Sequence, residues 1–253
     1  MATRIPDFDF SQYDPKDEWN FPAQRLVRFA AEAYHIVLEP RNFWNKRHLH
    51  PDFRSVFWLE LCGQAHALLV NAMHLRSHGN DLSWWEVQPE FSHTFDKRLI
   101  ANNNKTIRQL MQLGFVQHVV RQMDLLLREL LNTLTANPIK TKYPLGSVFL
   151  SLLGLTESKG EASLLTLWQI YRDSLSQEGR FCPVNGKDLQ LTLGDRKFSF
   201  AAHHPIQWDS FGFLDEWEFC LFLLREMVEM VGSLLQAPKV AQIQFLKAPY
   251  LDA

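Results

Sequence analysis

The chain has 253 residues with 26 Lys plus Arg against 28 Asp plus Glu, a formal net charge of −2 at pH 7, so no overall field draws it to phosphate backbones or anionic lipid. Hydrophobic residues make up 46% of it, and its three cysteines, Cys62, Cys182 and Cys220, are odd in number and far apart. That argues against a disulfide scaffold and for a self-sufficient core in a reducing cytoplasm.

The N-terminal residues contain no apolar leader, and the longest apolar window, Trp217–Leu235, is broken by Glu218, Arg225, Glu226 and Glu229. Neither secretion nor a membrane partner is expected. Residues 1–20, rich in Asp, Phe and Pro without periodicity, read as an irregular arm. From Pro22, the apolar residues Leu26, Phe29, Ala30, Ala33, Ile36 and Val37 fall on one helix face, and Pro40 is expected to stop that helix. The loop expected after it, "PRNFWNKRHLHP", is basic and aromatic. Its Arg41, Trp44, Lys46, Arg47 and His48 are candidate contacts for RNA or a nucleotide, with Trp44 stacking a base while the cations neutralise phosphate. A solvated loop with one buried tryptophan is the competing reading.

A second helix is predicted from Asp52 to His78, ended by Gly79. His74 and His78 have the spacing of a metal-ligating pair, but Cys62 and His66 lie off that direction by roughly 80° at ~3.6 residues per turn, so no metal is expected. "NDLSWWEVQPEFSHTF" reads as a connection. A third helix, about Asn104 to Ala136, repeats Leu110, Val116, Val119, Met123, Leu126 and Leu130 in a rhythm close to a heptad. "PLGSVFLSLLGL" suggests a short apolar helix, and a fourth helix runs from about Glu161 to Gln177.

The period then changes to two. "DLQLTL" and "RKFSF" alternate across the turn "GD", which predicts a β-hairpin insertion over 187–201. A last long helix follows from about Phe213 to Gln236, its cap expected near Asp209 or Ser210, and the tail 238–253 is apolar enough to dock on the body or on a partner. The sum is a mainly α fold, an antiparallel helical bundle with one inserted β-hairpin, in a single domain spanning 1–253. No glycine-rich phosphate loop, GxSxG, paired CxxC or HExxH occurs, so nothing calls for a cofactor.

The segment "YRDSLSQEGRF", a polar helix end followed by Gly, an aromatic, Pro, a hairpin, then "PIQW" and a closing helix, resembles the HEPN superfamily of helical bundles over about Leu164 to Ala237. In that family an Arg, a polar residue and a His four to six residues beyond the Arg form a metal-independent RNA-cleaving site, usually completed across a dimer. The resemblance places Arg172 at the Arg and Asp173 where Asn is usual, while Ser176, Gln177 or Glu178 fill the His positions. Ser and Gln do not exchange protons near neutral pH, and Asp173 would repel a phosphate. The expectation is therefore a non-catalytic HEPN-like binding or assembly module. The alternative is a metal-independent RNase or nucleotide-binding enzyme that uses Arg172 with His203 or His204 brought from beyond the hairpin. A homodimer is expected because Phe219, Phe222, Met227, Phe245, Leu246 and Tyr250 exceed what one core face needs.

Overall fold

Apolar residues recur at three-to-four spacing through five long segments, and each of them folds as a helix. The computed structural model describes residues 22–47, 52–78, 97–134 and 161–247. The helices are α1 (Pro22–Arg47), α2 (Phe53–His78), α3 (Lys97–Leu134), α4 (Glu161–Ser176) and α5 (Glu216–Gln236), with a short α6 (Pro238–Ala241) after them. Between α4 and α5 lie strands β1 (Leu189–Leu193) and β2 (Arg196–Phe200) and a 3-10 turn, Trp208–Phe211.

Each long helix packs on the next, and α5 returns to α1, so the five close into a bundle. Leu26, Trp58, Met123, Trp168 and Phe219, one from each helix, are fully buried in one continuous apolar cluster. Among the described residues no helix is long and apolar enough to cross a membrane. The arm 1–20, "NDLSWWEVQPEFSHTF", "PLGSVFLSLLGL" and the tail beyond Lys247 lie outside the described residues.

Three boundaries differ from the sequence expectation. Pro40 does not end α1, which continues to Arg47 with the proline inside it. Proline removes one ladder hydrogen bond, but the buried stripe of Ala33 and Val37 is taken up again by Trp44, and that burial outweighs the lost bond. Helix α3 starts at Lys97 rather than near Asn104, because Leu99, Ile100 and Ala101 are cut off from the later apolar stripe by the run Asn102, Asn103 and Asn104.

The cap of α5 is Asp215, not Asp209 or Ser210: its carboxylate accepts from Trp217 N at 2.8 Å and Glu218 N at 2.9 Å, while Glu218 reaches back to Leu214 N. This is a reciprocal capping arrangement, and Arg25 on α1 pairs with the same carboxylate. Asp209 and Ser210 belong instead to the 3-10 turn, which Gly212 ends at φ 80°. Asp215→Ala is expected to lower stability by about 1 kcal/mol, read by urea unfolding.

The hairpin has the register Leu189–Phe200, Leu191–Phe198 and Leu193–Arg196, with Gly194 at φ 56° in its two-residue turn. Period-two alternation puts Leu193, Phe198 and Phe200 inward, where Phe198 meets Phe219 and Phe222 of α5. Arg196 lies over the rings of Phe213 and Phe222, 5.0 and 5.1 Å from their centroids. The hairpin thus covers a second face of α5. Phe219, Met227 and Leu246, which the sequence suggested were left for an interface, are buried within the chain, Phe219 in part by the hairpin's Phe198; Phe222 is half-buried and Phe245 stays exposed. Tyr250 lies outside the described residues.

Candidate functional site

The "YRDS" segment, residues 171–174, lies in the last two turns of α4, and helical geometry sends its four side chains two ways. Tyr171 and Ser174 point inward and are buried, while Arg172 and Asp173 point outward. Ser174 donates its hydroxyl to Tyr171 O at 2.7 Å, and its own carbonyl accepts from Gln177 N at 3.0 Å and Gly179 N at 2.9 Å. Those bonds close the helix, with Glu178 and Gly179 both at positive φ, 54° and 78°.

The outward pair is self-satisfied. Arg172 Nε donates to Asp173 Oδ1 at 2.8 Å and Nη2 lies 2.7 Å from the same oxygen, at side-chain exposures of 36% and 60%. A phosphate approaching Arg172 meets a neighbouring carboxylate that already holds the guanidinium. Ser176 and Gln177 are exposed at the helix end and bring no group that exchanges a proton near neutral pH.

The histidines do come to this end of α4. Residues 179–181 run antiparallel to 203–206: Phe181 N donates to His204 O at 3.0 Å, His203 N to Phe181 O at 2.6 Å and Ile206 N to Gly179 O at 2.9 Å. His203 takes a left-handed φ of 64° and its carbonyl accepts from Arg180 Nη1 at 3.3 Å. His204 turns its Nδ1 to Ala202 O at 2.8 Å, which leaves Nε2 as its other ring nitrogen. The ring lines a cleft of about 230 Å³ with Phe181, Phe200, Pro205, Ile206 and Phe211, and Arg172 is not part of that wall. The strand exit therefore serves first to satisfy backbone groups.

In the second candidate group the longer α1 changes the place of Trp44. Trp44 is 5% exposed and belongs to the core, so it does not present a ring for a base to stack on. Arg41 is half-buried, donates to Asn42 Oδ1 at 3.3 Å and acts electrostatically on Tyr34 and Cys62 between α1 and α2. Lys46 and Arg47 are the cations of the last helical turn, where they complement the carbonyl end of the dipole. The exposed aromatic here is Phe43, a residue the sequence reading passed over, and Arg47 covers it at 3.6 Å from the ring centroid. His48 lies outside the described residues. Among the described residues no group of three or more His, Cys, Asp or Glu is placed to hold a metal ion.

Behind Arg172 sits a buried polar trio. Gln112 of α3 donates Nε2 to the Tyr171 hydroxyl at 2.6 Å, and that hydroxyl is also hydrogen-bonded to the Cys220 thiol of α5. Burial pushes the Cys220 thiol up to about 12 and raises Tyr171 well above the usual phenol value, so both stay protonated and act as neutral hydrogen-bonding groups. The trio ties α3, α4 and α5 together. No family model, curated protein or solved structure matches the chain.

Proposed function

We propose that the chain is a non-catalytic helical module for binding or assembly, of the HEPN-like kind that its α4 end resembles, acting as a homodimer in the cytoplasm. The observation that carries this reading is the Arg172–Asp173 pair: the cation that would hold a scissile phosphate is already engaged, and the residues after it supply no proton-transfer group. The three cysteines are all free, which fits a reducing compartment. The self-association reading rests on the outer side of α2, where Leu59, Gly63, His66 and Val70 are exposed and fall within one narrow arc of the helix.

Two measurements test it. Labelled single-stranded RNA incubated with the protein in EDTA is expected to stay intact at the buffer background. Cleavage abolished by Arg172→Ala would overturn the reading and promote the RNase alternative that recruits His203 or His204. Light scattering at micromolar concentration is expected to give twice the 29.6 kDa chain mass; a value near one chain mass removes the dimer.

A further inference from the structure

At the start of α2, Asp52 and Arg54 form an ion pair whose side chains are 4% and 1% exposed. Arg54 Nε donates to Asp52 Oδ1 at 2.9 Å and Nη2 to Oδ2 at 2.6 Å, a two-pronged geometry. Asp52 Oδ1 also accepts from Arg54 N at 2.9 Å. A pair this deeply buried needs its remaining donors and acceptors filled, and the segment after α6 fills them. Arg54 Nη1 donates to Ile243 O at 3.0 Å and Nη2 to Gln244 O at 3.4 Å, while Asp52 Oδ2 accepts from Leu246 N at 3.2 Å. Phe53 N donates to Leu246 O at 2.7 Å, and Asp52 forms an antiparallel bridge with Lys247.

Each of these hydrogen bonds to the segment ends on a main-chain atom of it. Of its side chains, Leu246 alone is fully buried; Gln244, Phe245 and Lys247 are exposed. We infer that the start of α2 is a slot for an extended peptide, in which an Asp–Arg pair reads the backbone and a single leucine-sized pocket supplies selectivity, and that residues 243–247 occupy it in cis. This inference does not depend on how Arg172 is read. Reading of main-chain groups with one side-chain pocket is the way extended peptides are captured at sheet edges. The occupant is tethered through α6 and the extended Ala237 (φ −56°, ψ 138°), so its effective concentration is on the order of millimolar and it shields the slot from dilute competitors.

The test uses the full chain and a fluorescent peptide covering residues 242–250. The parent is expected to bind the peptide weakly, since its own segment competes. The Leu246→Ser chain, having lost its anchor, is expected to bind at least ten-fold tighter, and a peptide carrying the same substitution is expected not to bind. A Leu246→Ser chain that keeps its helical circular dichroism and a cooperative melt, yet binds no better than the parent, overturns the inference, as does equal binding of the substituted peptide. Hydrogen exchange on the parent guards against a variant that fails to fold. The amides of Phe53 and Leu246 are expected to exchange together and faster than those of Leu61 and Ala65 in mid-α2. Exchange of Leu246 only through global unfolding would make the segment inseparable from the core and end the proposal.

Discussion

Arg54→Ala is expected to destabilise the chain by about 3–5 kcal/mol at neutral pH, because it leaves the Asp52 carboxylate buried without its cation. The loss should depend on pH with a definite sign. In the parent, burial alone would raise the Asp52 carboxyl, but hydrogen bonds from the Arg54 side chain, Arg54 N and Leu246 N, together with the guanidinium charge, hold it below the usual carboxylate range. A carboxyl lowered by folding contributes stability that is present above the unfolded value, about 3.9, and is lost as the pH falls below it. In the variant, burial dominates and the carboxyl lies above that value, so its neutral form is favoured and stability is lost as the pH rises. The gap between parent and variant should therefore narrow steadily from pH 7 toward pH 4 in urea unfolding. A gap independent of pH would assign the effect to lost packing of the arginine stem and not to the charge pair.

This clamp marks the limit of what the sequence discloses. Asp52 was legible as a helix start, since it caps α2, its main-chain oxygen accepting from Val56 N at 3.0 Å. Its partnership with residues 243–246 was not, because a contact about 190 positions away leaves no local pattern. The helices and the hairpin were readable for the opposite reason: Leu164, Leu167 and Trp168, or Leu193 and Phe198, declare an inward face by period alone. Where a local rule and a distant contact conflicted, as at Pro40, the distant contact prevailed through Trp44. The same holds at the α4 end. The sequence singled out Arg172, Asp173 and Ser176 by residue type, but which of the four "YRDS" side chains face inward follows from the stripe of Leu164, Leu167, Trp168 and Tyr171. The partner of Tyr171, Gln112, is a polar residue on α3 whose burial an apolar pattern does not announce.

The α4 end is therefore expected to divide sharply by side-chain direction. Tyr171 is fully buried, with its ring against Trp168, Trp208 and Phe219, so Tyr171→Ala should cost about 3–5 kcal/mol from lost contacts and the cavity left behind. Tyr171→Phe keeps the ring but strands the buried Gln112 amide, for about 1–3 kcal/mol. Adding Gln112→Leu to that variant should restore part of the loss, because both polar partners are then gone; simple additivity of the two single changes would refute the hydrogen bond as the cause. Arg172→Ala, one residue along, removes a half-exposed pair with its neighbour and should move stability by no more than about 0.5 kcal/mol. The comparison also bears on activity. If Arg172→Ala leaves both stability and any RNA affinity unchanged while Tyr171→Phe unsettles the fold, the segment works through its inward face, as a joint between α3, α4 and α5. If Arg172→Ala instead weakens RNA binding and flattens its dependence on salt, the outward face contacts phosphate and the non-catalytic reading loses its main support.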